Sequence, residues 1–140
     1  MQRLLVAVAD SPASLAAVRT AVDLAARLQA ELRVVHVVRD GAVRVALGPA
    51  APELSARREA AADSVLRHAA KLAERAGVPV TTVRETGDVC SRVIAQADAW
   101  PADLIVLGRT TRPGAGEPFI GAHAQRVLEF SDRPVLVVPG

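Results

Sequence analysis

Five short apolar segments recur along the chain, and amphipathic stretches separate them. Leu4–Val8 is the first, a compact run of the kind that fills a buried strand. Asp10, Ser11 and Pro12 follow, a helix-start signal: a short polar side chain takes up free N–H groups, and proline suits the first turn. Leu15, Val18, Val22 and Ala25 then return every three or four residues, giving a helix with one buried stripe. Leu32–Val38 is nearly continuous and β-branched, as expected of a strand covered on both faces. Residues 39–52 hold Gly41, Gly48, Pro49 and Pro52 and are expected to form a loop. A helix from about Glu53 to Ala76 carries Ala62, Val65, Leu66, Ala69, Leu72 and Ala73 inward and stops at Gly77. Pro79–Val83 is a weaker strand whose proline and threonines suit a sheet edge. Gly87-Asp88 leads into a third helix with Val93, Ile94 and Ala97 inward. Leu104–Leu107 is a fourth strand, Gly121–Phe130 a fourth helix and Val135–Val138 a last strand.

Strict alternation of strand and helix with short connections predicts an α/β fold, an open five-stranded parallel sheet with helices on both faces. In the strand order such sheets adopt, 3-2-1-4-5, the chain reverses direction between strands one and four. Ligands bind at the carboxyl ends of strands at such a reversal. Two turns should meet there. One is Ala9-Asp10-Ser11. The other is the stretch from Gly108 to Gly116, with three glycines, Arg109 and Arg112. Backbone N–H groups exposed by glycine, a following helix N-terminus and two arginines would make an anion cradle. A surface turn with solvated arginines fits the same residues. The loop lacks the Gly-Lys-Ser/Thr of a P-loop and the spacing of a dinucleotide fingerprint.

The 140 residues suit one domain, residues 1–140, and 51% hydrophobic content is ample for its core. No apolar run approaches the roughly 18 residues that cross a bilayer. The opening Met1-Gln2-Arg3 lacks the features of a signal peptide, so a cytoplasmic protein without a membrane association is expected. A net charge of +2 and two Phe, one Trp and no Tyr give neither the field nor the stacking platform for nucleic acid. The single cysteine, Cys90, excludes an internal disulfide; it is read as a small buried residue, with a reactive thiol as the alternative. His36, His68 and His123 share no metal-ligand spacing; only His123 should border the crevice. Ser11 and Ser91 have no recognisable base partner, so no catalytic residue is assigned.

Several segments together resemble the universal stress protein family. They are Leu4-Leu5-Val6-Ala7-Val8 with Asp10 and Ser11 behind it, Val35-His36-Val37-Val38, Gly87-Asp88 before a helix, Ala102-Asp103-Leu104-Ile105-Val106-Leu107-Gly108, and Arg133-Pro134-Val135-Leu136-Val137-Val138-Pro139. The resemblance runs in order over the whole chain. It implies a fold of the adenine-nucleotide alpha-hydrolase-like type and a homodimer joined through the last strand. Val135, Leu136, Val137 and Val138 carry no charge that would protect an edge, which agrees with such pairing; a covering helix or loop is the alternative.

ATP-binding members carry Gly, two residues, Gly, nine residues, Gly and then Ser or Thr. The spacing is kept in Gly108-x-x-Thr111-x9-Gly121-Ala122, but Thr111 replaces a glycine and Ala122 replaces the hydroxyl residue. The family's aspartate after the first strand falls on Ala9, with Asp10 one residue later and also suited to cap the first helix. By this alignment the nucleotide-site positions are Ala9, Asp10, Val37, Gly108, Arg109, Thr111, Arg112, Gly121, Ala122 and His123. A Cβ at position 111 narrows the approach of backbone to phosphate. Loss of the hydroxyl at 122 removes a hydrogen bond of about 1 kcal/mol. The expectation is a regulatory or binding module that does not bind ATP in the usual family mode. A site compensated by Thr110, Thr111, Arg109 and Arg112 is the alternative, holding ATP, with Mg, or another adenine nucleotide or small anion. A protein-interaction module with a vestigial site stays open too. A weak nucleotide hydrolase comes third, because no general base or metal pair is in view.

Overall fold

The computed structural model describes residues 1–9, 12–38, 51–109 and 121–139. The elements are β1 (Arg3–Val8), α1 (Pro12–Leu28), β2 (Glu31–Val38), α2 (Ala51–Arg75), β3 (Val80–Thr86), α3 (Val89–Ala99), β4 (Leu104–Arg109), α4 (Ala122–Phe130) and β5 (Val135–Pro139). All strand pairs are parallel, and the order is β3-β2-β1-β4-β5, the order expected from the alternation.

Strand progress reverses after β3, so right-handed crossovers put α1 and α2 on one face and α3 and α4 on the other. Strand alternation does the rest. Leu4, Val6, Leu32, Val34 and Val106 pack with Ala17, Val18, Ala21, Leu66, Ala69 and Ala73 of α1 and α2. Leu5, Val35, Ile105 and Leu107 pack with Cys90, Val93, Ala97, Ala124 and Val127 of α3 and α4. The alanines let helix backbones lie close to the sheet. Leu5 and Ile105 are at most 1% exposed, so truncating either to alanine should cost about 2–5 kcal/mol.

Three helices end alike. Ala30 N–H donates to Ala25 C=O at 2.9 Å, Val78 to Ala73 at 2.9 Å and Ala102 to Ala97 at 2.9 Å. This six-to-one bond joins pairs of buried small side chains; in α1 and α2 it closes over a left-handed residue, whereas the α3 closure contains none. After α2 the left-handed residue is Gly77, as its sequence position suggested; after α1 it is Gln29, with φ 54°. Each closure leads straight into a strand. At the same end of the sheet, Asp103 Oδ2 accepts the N–H groups of Gln2 at 2.7 Å and Arg3 at 2.9 Å, fastening the start of β1 to the turn before β4. Arg133 Nε donates to Ala102 C=O at 2.7 Å, and its guanidinium pairs with Asp98.

β3 is longer than expected, reaching Thr86 rather than Val83. Its polar end is held from both faces: Arg84 pairs with Asp63 of α2 at 3.0 Å, and Glu85 accepts from Gln96 of α3 at 2.6 Å. β5 is the other edge; Leu136 is 36% exposed there. Cys90 is buried, as expected, and burial pushes its thiol pKa up. Among the described residues no helix is long and apolar enough to cross a membrane.

Candidate functional site

The strand pairing itself opens a crevice. β1 pairs with β2 as far as Val8↔His36, and β4 pairs with β5 as far as Arg109↔Pro139. Between β1 and β4, however, the ladder stops at Val6↔Val106. Past that point each of the two central strands stays with its outer neighbour, and no ladder pairing joins their carboxyl ends. Parallel strands β4 and β5 require α4 to run back between them, so its N-terminus lies at this same end. The ends of β1 and β4 and the start of α4 therefore lie at one and the same edge of the sheet.

One wall is the end of β1. Ala9 is exposed, and its N–H donates to the hydroxyl of Ser14 in α1 at 2.7 Å. Ser14 is 7% exposed and is the buried polar residue of the described core. The other wall is the end of β4. A Cβ built on Gly108 would lie 2.4 Å from the carbonyl oxygen of Ala13 and 3.1 Å from Ser14 N. Gly108 is thus a glycine because α1 crosses it at backbone contact, a reason independent of any ligand. By strand alternation Arg109 points to the opposite face, toward α3 and α4. Its Nε is buried and has no hydrogen-bond partner among the described residues.

Gly121, with φ 95°, is the N-cap of α4 and gives no side-chain cap; Ala122 and the exposed His123 begin the helix. First-turn N–H groups of such a helix favour an anion. Val37 lies on the α3 side of β2, partly buried against that core cluster. Of the expected site residues, Ala9, Val37, Gly108, Arg109, Gly121, Ala122 and His123 are thus assigned positions; Asp10, Thr111 and Arg112 lie outside the described residues, as does Thr110.

Next to the crevice, Asp88 N-caps α3. Its Oδ2 accepts the N–H of Ser91 at 3.0 Å and the Ser91 hydroxyl at 2.8 Å, and its Oδ1 meets Arg126 of α4 at 3.1 Å. The Ser91 N–H, then the Ser91 hydroxyl, then Arg126 hold its pKa down to about 2. This commits Ser91 to capping. Gly87 N–H in turn bonds Val38 C=O at 3.0 Å, tying the turn to the end of β2. Sequence reasoning gave neither Asp88 nor Ser14 a role. For Asp88 a signal existed, a polar residue with Ser91 three positions on; for Ser14 there was none, since its partner is set by how α1 sits against the end of β1. Asp103, at the opposite end of the sheet, also titrates low, chiefly through the N–H of Gln2. Among the described residues, His, Cys, Asp and Glu gather into no metal-binding group.

Comparison with known proteins agrees with this architecture. The family model described as the universal stress protein family matches residues 1–139. Universal stress protein MJ0531 of Methanocaldococcus jannaschii is 32% identical over 131 residues, covering 91% of this chain and 76% of that protein. The solved structure of universal stress protein UspA from Lactobacillus plantarum superposes with a TM-score of 0.86 at 29% identity, over 98% of this chain and 97% of that one. A universal stress protein crystallised in complex with cAMP superposes with a TM-score of 0.72 at 25% identity, over 99% and 96% of the two chains. A reversed-order parallel sheet, a crevice at its switch point and a family match across almost every residue lead to one conclusion: the chain belongs to the universal stress protein family.

Proposed function

We propose that this chain is a small regulatory binding module, dimeric through β5, whose crevice does not hold ATP in the usual family mode. The observation that carries this reading is at the crevice rim: α4 begins with Gly121 and Ala122 and has no side-chain cap. A hydroxyl at 122 would offer a hydrogen bond to a phosphate at this helix start; alanine offers none. The retained Gly108 does not weigh against this, because its contact with Ala13 explains it. Thr111 adds a side chain where the family pattern needs glycine. No catalytic role is assigned to any residue, and Ser91 is engaged with Asp88.

A second reading keeps an adenine nucleotide or another small anion in the same crevice. Arg109 favours it, since a buried guanidinium nitrogen without a partner costs free energy that an anion would recover. The relative solved with cAMP makes the nucleotide monophosphates natural probes.

Thermal shift with ATP, ADP, AMP and cyclic AMP, with and without magnesium, separates the two. A ligand at one hundred times its dissociation constant stabilises by about 2.7 kcal/mol. No shift with ATP is expected, and the double variant Thr111→Gly with Ala122→Ser should gain one. An ATP shift in the parent chain would overturn the first reading. A shift with AMP or cyclic AMP alone would establish the second.

A further inference from the structure

The first turn of α1 touches both walls of the crevice at once. The Ala13–Ser14 peptide lies on Gly108 of β4, with the Ala13 carbonyl oxygen 2.4 Å from where a Cβ would stand and Ser14 N at 3.1 Å. The side chain of that same Ser14 accepts the N–H of Ala9, the residue that ends β1, at 2.7 Å. Ser14 and Ala13 are both buried, at 7% exposure each. The β1–β4 ladder has already stopped at Val6↔Val106. No direct strand pairing then fixes the spacing of Ala9 relative to Gly108. One dipeptide of α1 does so instead, by a backbone contact on one side and a hydrogen bond on the other.

We propose that Ser14 is a positioning residue of the crevice, setting the distance between its two walls without touching a ligand. The idea rests on the crevice being the ligand site, but its structural half stands apart from any ligand. An apolar residue at 14 would leave the Ala9 N–H without its hydroxyl acceptor. A side chain introduced at position 108 would lift α1 and pull on Ala9 through Ser14. Both walls therefore respond to a change at either one.

The test is backbone amide NMR on Ser14→Ala, Ser14→Thr and Gly108→Ala, with AMP as probe. In Ser14→Ala the Ala9 amide should lose exchange protection by about 3- to 10-fold, the factor set by one ordinary hydrogen bond. The Gly108 and Arg109 amides should shift with it. Ser14→Thr, which keeps the hydroxyl, should restore both. Gly108→Ala should move the Ala9 resonance, and it carries the test if Ser14→Ala does not fold. Unchanged Gly108 and Arg109 amides in Ser14→Ala, or an unmoved Ala9 amide in Gly108→Ala, would overturn the proposal. If AMP binds the parent, Ser14→Ala should weaken it several-fold while Ser14→Thr matches the parent; equal affinity in all three overturns the positioning role. If the amides respond as described and AMP binds none of the chains, the wall-spacing role holds and only the nucleotide reading falls.

Discussion

Replacing Gly108 by alanine tests the contact on which the crevice is built. The added Cβ would meet the Ala13 carbonyl oxygen at 2.4 Å and its carbon at 2.6 Å, whereas real Cβ atoms essentially never approach within 3.0 Å. The first turn of α1 must therefore retreat by at least 0.6 Å (3.0 minus 2.4). These are main-chain atoms of a helix, so no side-chain rotation relieves the clash. Overpacking of this kind costs about 1–3 kcal/mol. Alanine loses less chain entropy on folding than glycine, which returns about 0.5–1 kcal/mol. The expected net loss is about 1–2 kcal/mol, or a Tm lower by roughly 3–8 °C for a chain of this size. Urea unfolding followed by circular dichroism would measure it, with the slope unchanged. Gly77→Ala is the control: a Cβ there meets nothing within 4 Å, and only its φ of 72° opposes the change. An alanine at 108 that leaves stability equal to or above the parent would refute the close-contact argument and return Gly108 to the ligand.

Three further outcomes follow from other parts of the fold. Gln29→Gly should raise stability by about 0.5–1 kcal/mol in urea, because the left-handed φ of 54° burdens a residue with a Cβ; a loss would refute that. Asp88 titrates near 2 when folded against 3.8 as its ordinary value, so the stability it contributes is present above about pH 4 and fades as pH falls toward 2. Urea midpoints from pH 5 to pH 2 should therefore converge for the parent and Asp88→Asn, which keeps a capping side chain; a gap that stays constant to pH 2 would contradict it. Leu136→Lys should yield a folded monomer by light scattering, since Leu136 is 36% exposed in the single chain and a charge protects a strand edge; a dimer of unchanged affinity would argue against pairing through β5.

The sequence made the sheet legible because alternation and periodicity are local. Val34 and Val35 face opposite cores, and a run of apolar residues announces that without any tertiary knowledge. Closure of α2 at Gly77 was legible for the same reason, whereas closure of α1 at Gln29 was not, since glutamine carries no stop signal. The end of β3 was missed because Arg84 and Glu85 look like loop residues until their partners Asp63 and Gln96 are seen across two helices. At the crevice, the glycine pattern singled out Gly108, which lies near the end of β4, and Gly121, the N-cap of α4. It could not tell a glycine kept for a ligand from one kept for a helix, because that difference is a distance to Ala13. Ser14 was invisible for a like reason: its acceptor role exists only once α1 is placed against the end of β1.

The three alanine-lined closures at the amino end of the sheet carry a consequence for how such chains diversify. Ala25, Ala73 and Ala97 leave no room for growth where the helices end. The segments 39–50 and 110–120 depart from the opposite rim, after β2 and β4. One end of the sheet is thus held by closely packed helix ends, while the connections after β2 and β4 leave from the other. Loops swapped in from a relative with different ligand chemistry would meet an unaltered foundation, and a change of specificity would not have to wait on a change of architecture.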